Sequence, residues 1–253
     1  MNRDSAGRKT ERAFWNDAHQ GRIRYRLPSP LNIGTANILR LLEPRISTGA
    51  RVLEIGFAPG KILVHLGLRC GANVFGIDYS ENGVAVAKDL FQRLGLAGDL
   101  RCEDLFSSSF AEQTFDFVYS LGLVEHFDNA AVVVEQHFRF LRPGGRALIA
   151  IPNYGGVYGS LQARLDSDNL AIHNLHIMRT DVLCRLTEGL AVSSVRAYPF
   201  GRLSPWLLSI DRKLPRPVAL GLQGAANLVG LLQPIDVARL CPLLVLEFTR
   251  ASA

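Results

Sequence analysis

Val52-Leu53-Glu54-Ile55-Gly56-Phe57-Ala58-Pro59-Gly60 reads as a buried strand that ends in an acid and turns through small residues into a helix. A turn of this kind lets the backbone approach a ligand closely, because no large side chain stands in the way. The dinucleotide fingerprint GxGxxG, aligned on Gly56, requires glycines at 58 and 61, where this chain has Ala58 and Lys61. The spacing is instead acid, glycine two residues on, a small residue at four and glycine at six. That disfavours pyrophosphate, and with it a nicotinamide-dependent enzyme.

Outward from this turn, strand and helix patterns alternate. Residues 51–56 form the first strand, followed by a helix at 60–70 ended by Gly71. Next come a strand at 74–78, a helix at 81–94 ended by Gly95, and short strands at 100–103 and 115–120. A helix at 129–141 then leads through Arg142-Pro143-Gly144-Gly145 into a strand at 146–152. A helix at 33–43 precedes the series; a helix at 180–188 and strands at 192–198 and 243–249 follow it. These spacings suit right-handed crossovers. The expected architecture is therefore α/β, a doubly wound, seven-stranded, mostly parallel sheet with helices on both faces. Residues 200–242 are apolar and proline-punctuated (Trp206, Leu207, Leu208, then Val218 to Leu232), too long for a plain connection and expected to be a helical insertion before the last strand.

Two further acids end strands. Asp78 closes the second in Gly76-Ile77-Asp78-Tyr79-Ser80, and Asp104 ends the third in Glu103-Asp104-Leu105-Phe106. In a doubly wound sheet Glu54, Asp78 and Asp104 all emerge at the carboxyl edge, where ligands bind. One such acid alone would read as a turn or capping carboxylate. Three on successive strand ends beside a glycine turn describe a nucleoside site, with Asp78 able to accept from both ribose hydroxyls.

Composition narrows the classes. The chain of 253 residues is 48% apolar and 20% charged, which suits one globular core and excludes a disordered polyelectrolyte. No run approaches the roughly 20 apolar residues of a membrane span. Arg3, Arg8, Lys9 and Arg12 are followed by no apolar core, so no secretory signal is expected. Cys70, Cys102, Cys184 and Cys241 are scattered without a CxxC pair, which argues for a reducing, cytoplasmic setting and against a zinc site or disulfide framework. The net charge of +5 is dispersed, with one cluster at Arg22, Arg24 and Arg26, and reads as a solvated surface rather than a nucleic-acid footprint; an anionic acceptor stays open.

Over residues 50–155 the chain resembles the class I S-adenosylmethionine (SAM)-dependent methyltransferases, in their small-molecule branch. Residues 52–60 look like the first motif of that family, Gly76 to Ser80 like the second, and Phe115 to His126 like the fourth. The Glu125-His126 pair is typical of relatives of quinone-biosynthesis enzymes, and the runs 156–159 and 173–178 resemble enzymes of polysaccharide and natural-product clusters. The resemblance implies a Rossmann-like fold, SAM as cofactor and transfer of a methyl group to oxygen or nitrogen of a small-molecule acceptor. By position, Gly56, Ala58 and Gly60 would line the methionine part, with Glu54 near its amino group or the ribose. Asp78 would hold the ribose, Tyr79 would pack on adenine, Asp104 would bond the adenine amino group beside Leu105, and Ser120 and Leu121 would face the sulfonium. Ala58 departs from the family's usual glycine.

Methyl transfer from a sulfonium needs alignment above all, and a hydroxyl acceptor must also lose a proton. His126, just past the fourth strand, is the candidate base; a histidine that merely orients its loop is the competing reading. His173 and His176 stand three apart, as two residues on one helical face would, but show no third ligand nearby, so no metal is expected and an acceptor-pocket role, or a plain exposed position, is preferred. Tyr154 and Tyr158 follow strand five, where such pockets are built. Residues 1–46, with Trp15, Tyr25 and Arg26, are expected to form a helical lid on a SAM-binding domain of residues 47–253. Within it, 200–242 would cap the pocket or make a homodimer interface, and Trp206 with Arg212, Lys213 and Arg216 leaves a lipid-facing helix open. Competing functions are a protein or nucleic-acid methyltransferase and a non-catalytic SAM-fold partner. Tyr119-Ser120-Leu121-Gly122 lacks the Asn/Asp-Pro-Pro motif that marks methylation of base amines, and the three intact acids speak against a degenerate site.

Overall fold

The computed structural model describes residues 6–19, 21, 23–25, 32–208, 210–233 and 235–252. Arg22, Arg26, the run Leu27-Pro28-Ser29-Pro30 and the side chain of Arg212 lie outside the described residues.

Seven strands form one sheet: β1 Arg51–Ile55, β2 Asn73–Asp78, β3 Asp99–Cys102, β4 Phe115–Leu121, β5 Leu141–Pro152, β6 Val192–Phe200 and β7 Leu243–Arg250. Their order is β3-β2-β1-β4-β5-β7-β6, all parallel except β7, which runs antiparallel to both neighbours. The helices are α1 Arg12–Ala18, α2 Ile33–Leu42, α3 Lys61–Cys70, α4 Glu81–Leu94, α5 Ala130–Phe140, α6 Val157–Leu165, α7 Ser167–Ala171, α8 Thr180–Arg185, α9 Ile210–Lys213 and α10 Arg216–Leu232. The strand order reverses between β1 and β4, and the crevice at such a reversal is where open α/β sheets bind ligands.

Period-two alternation decides which face each strand residue serves. Val52, Phe117 and Tyr119 join the core under α2, α3 and α4, whereas Leu53, Ile55 and Val118 join the core under α5 and α8. In α4 the buried residues Val84, Ala87, Leu90 and Phe91 repeat at helical spacing. Ser80 caps that helix by accepting from the Gly83 amide at 3.1 Å, and Gly95 ends it in the left-handed region. Burying its leucine and phenylalanine contributes about 1.5–3 kcal/mol each.

The observed sheet is the expected one, with one boundary moved. Strand β5 begins pairing at Leu141 rather than Arg146, and Arg142-Pro143-Gly144-Gly145 bulges from it as the register with β4 shifts between Phe115 and Phe117. A Cβ on Gly145 would stand 2.9 Å from the carbonyl oxygens of Arg142 and Phe115, so the bulge closes only around a glycine. The 200–242 segment contains α9 and α10. Gly230 of α10 rests directly on the Leu203 carbonyl, while Val218, Leu220, Leu222, Leu228 and Leu232 are exposed. Among the described residues no helix is long and apolar enough to cross a membrane.

Candidate active site

The carboxyl edge of β1, β2 and β4 opens into two adjoining chambers, a small one of about 130 Å³ and a large one of about 980 Å³. They share Trp15, Gly56, Ala58, Leu121 and Gly122 as a common wall.

The small chamber is assembled by local turns. Gly56 takes φ 78°, a left-handed conformation that favours glycine, and its amide donates to the Ile77 carbonyl at 2.8 Å. The half-buried Asp78 accepts from the Ala58 amide at 3.0 Å and the Ser80 amide at 2.8 Å, so one carboxylate pins both turns. Burial pushes its pKa up, against the pull of those amide bonds and of His19. Its oxygens keep further lone pairs for a ligand. The Ala58 methyl sits where α4 provides a glycine: a Cβ on Gly83 would lie 2.5 Å from it. Gly83 thus makes room for the residue that departs from the family pattern.

A strap from residues 6–19 crosses above. Arg8 bridges to Phe127, the Lys9 amide donates to the His126 carbonyl at 2.9 Å, and the Asp128 amide donates to Gly7 at 2.8 Å. On the other side, Asn16 accepts from the Ser80 hydroxyl at 2.9 Å. The Arg8 guanidinium lies 4.7 Å from the Tyr79 ring centre and donates to Asp104 at 2.8 Å. Arg8, Trp15 and His19 of this strap all line the small chamber.

The large chamber runs from Glu54 to the 200–242 segment. Glu54 is buried and accepts from the Tyr119 hydroxyl at 2.8 Å; burial holds its pKa well above the usual carboxylate range despite that bond. Beyond it stand Glu125, His126 and His173, with Tyr154, Trp206 and Leu207 forming the far wall. The His126 and His173 ring centres are 4.7 Å apart, and Trp15 meets His126 edge-on at 5.2 Å. Burial, with His173 adding to it, drives the His126 pKa down to about 4. Burial drives the Glu125 pKa up to about 8.

Glu54, Gly60, His126, Tyr154 and His173 line the large chamber, Asp78, Tyr79 and Leu105 the small one, and Gly56, Ala58 and Leu121 both, so the residues expected at the cofactor are divided between the two. Four of the expected site residues stand outside both chambers. Ser120, on β4, is fully buried and bonds His137 Nε2 at 2.9 Å, because alternation turns it toward α5, away from the crevice that Leu121 lines. Asp104 does not line either chamber: its oxygens are engaged by Arg8 and by the Phe106 amide at 2.9 Å. Tyr158 is buried outside the large chamber, its hydroxyl donating to Leu240 and accepting from the Ser204 amide. His176 is exposed, because α7 ends at Ala171 and a separate turn begins at Leu175, so no helical face carries it beside His173. The sequence reading also assigned no role to Glu125 or Arg8. Glu125 was visible as the neighbour of His126; Arg8 meets Asp104 across 96 residues and had no signal.

Residues 53–149 match the family described as a methyltransferase domain. Methyltransferase GfsG of Streptomyces halstedii is 32% identical over 107 residues, covering 42% of this chain and 38% of that protein. The ubiquinone biosynthesis O-methyltransferase of Rhizobium etli is 32% identical over 111 residues, 44% of each chain. The chain thus spans less than half the length of these two curated relatives. Among solved structures, a SAM dependent methyltransferase from Archaeoglobus fulgidus superposes with a TM-score of 0.58 at 15% identity, over 94% of this chain and 99% of that one. At that identity the likeness is one of fold.

Proposed function

We propose, from the premise that residues 53–149 are a methyltransferase domain of the class I SAM-dependent family, that this chain binds SAM with its nucleoside in the small chamber and transfers the methyl group to a hydroxyl of a small molecule held in the large one. The single feature that carries this reading is Asp78, a carboxylate at the end of β2 in the wall of the small chamber, beside a left-handed glycine turn. Asp78 holds the ribose hydroxyls and Tyr79 and Leu105 flank the adenine. With Asp104 taken by Arg8, the adenine edge is read from the strap and backbone instead. Gly56, Ala58 and Gly60 run beside the methionine, with Glu54 near its amino group, and Leu121 faces the sulfonium from the wall that the chambers share.

The large chamber has the volume of a small-molecule site, and α1 and Trp206 wall it in. A protein or nucleic-acid substrate would need an open groove. In this reading residues 200–242 cap the acceptor, the strap is the lid, and His126 stands beside the acceptor's hydroxyl and assists the loss of its proton. An acceptor from a natural-product or polysaccharide route suits a cavity of this size with mixed apolar and imidazole walls.

Calorimetry with SAM and S-adenosylhomocysteine tests the assignment. Asp78→Ala should weaken both by roughly 30- to 150-fold, the loss of about 2–3 kcal/mol in charged hydrogen bonds. Asp78→Asn, which retains one acceptor, should lose about tenfold. Unchanged affinity in a folded Asp78→Ala variant overturns the ribose assignment.

A further inference from the structure

We propose that Glu125, His126 and His173 bind one divalent transition-metal ion in the wall of the large chamber, with its open coordination position facing the acceptor's oxygen. Three ligand atoms, one from each residue, lie within 4.8 Å of one another. Two come from the turn after β4 and the third from the segment after α7, so the fold brings them together across more than 40 residues.

The hydrogen bonds around the cluster point the same way. His126 Nδ1 lies 3.1 Å from the Ile172 carbonyl and His173 Nδ1 lies 2.6 Å from the Asn169 carbonyl. A carbonyl only accepts, so each Nδ1 carries the proton, and each neutral ring turns a bare Nε2 lone pair to its other side. Metal-bound histidines are held in this manner, with the second nitrogen donating to a carbonyl or carboxylate. Glu125 is fully buried, and neither of its oxygens has a hydrogen-bond partner among the described residues. Leaving buried acceptors without a partner is costly. Here two imidazole nitrogens and a carboxyl group face one another, and a cation satisfies all three together.

Two imidazoles and one carboxylate suit zinc, manganese, cobalt or iron better than magnesium or calcium, which favour all-oxygen shells. Ligands on a tetrahedral ion stand about 3.4 Å apart at usual zinc bond lengths. The Glu125 carboxylate, restrained by no hydrogen bond, can close the remaining gap by rotation. The ion also assists the proton's removal: a bound cation lowers the pKa of a coordinated oxygen by several units. The acceptor's O–H then ionises and its proton leaves to water. The oxygen forms a bond to the methyl carbon as the carbon–sulfur bond breaks, leaving S-adenosylhomocysteine as a neutral thioether. This last step rests on the methyltransferase reading; binding of the ion does not.

The test is titration of chelator-stripped protein with Zn²⁺ by calorimetry and with Co²⁺ by visible absorption, alongside SAM binding. One site of micromolar or tighter affinity is expected, with tetrahedral cobalt bands. In His173→Gln and Glu125→Gln, ion affinity should fall at least about 100-fold with SAM affinity unchanged. His176→Ala, altering an exposed histidine, should bind like the parent. Absence of binding, or equal affinity in His173→Gln with SAM binding intact, overturns the proposal. If the ion binds through His173 but SAM does not bind, the metal site stands and the methyl-donor reading falls.

Discussion

The two chambers share a wall at Gly56 and Leu121 but are built in opposite ways. The small one is made largely where parallel strands end: Asp78 closes β2, Gly56 follows β1, and Leu105 comes three residues after the end of β3. Its polar groups are set by turns only a few residues long, as when Asp78 accepts from the Ser80 amide. The large chamber gathers Trp15, Glu54, His126, Tyr154, His173 and Trp206 from separate segments of the chain. The first is fixed by period and topology, the second by packing between distant pieces. A cofactor site of the first kind can serve many acceptors, and the second is where specificity resides.

Substitutions that strike one chamber and spare the other sharpen this division. The largest effect is expected on the acceptor side. His126→Ala should lower kcat by about 10²–10⁴-fold, the usual range for a group that assists proton loss from the acceptor, with SAM affinity unchanged in calorimetry. A parallel fall in SAM affinity would merge the two chambers into one functional unit.

Beneath the floor that both chambers share, His137 is fully buried, its Nδ1 donating to the Val133 carbonyl at 2.8 Å and its Nε2 meeting Ser120. Burial lowers its pKa from 6.5 to about 4. An unfolded chain takes up that proton near 6.5 and the folded one only near 4, so stability present above pH 6.5 is lost as the pH falls through this window. The contribution is about 3 kcal/mol. Denaturant unfolding across this range should show a shallower loss in His137→Gln than in the parent; parallel curves would remove the histidine from the account.

The smallest effect concerns the loop at Ala58. Gly83→Ala places a methyl 2.5 Å from the Ala58 methyl and should weaken SAM binding by about tenfold. Ala58→Gly in the same chain should restore it. Failure of the second change to rescue the first would show that α4, and not the loop, bears the strain.

The same contrast explains what was legible in the sequence. Strands β1 to β4 and helices α3 and α4 follow from periodicity and glycine stops, and the strand-end acids follow from them. The orientation of Ser120 was readable too, since it alternates with Tyr119 and Leu121, but the motif resemblance pointed it at the sulfonium. Arg8 across from Asp104 was not readable, because nothing local ties the strap to β3. The His173 environment was hidden for a different reason. Its spacing from His176 suggested one helical face, whereas the chain breaks between them and His173 finds partners 47 and 48 residues earlier, at His126 and Glu125.

A structure of the chain with S-adenosylhomocysteine bound tests the central division most directly. The account predicts both ribose hydroxyls within hydrogen-bond reach of Asp78 and the thioether sulfur at the shared wall, turned toward Glu125 and His126. A nucleoside lodged in the large chamber, with Asp78 touching only Ala58 and Ser80, would contradict it.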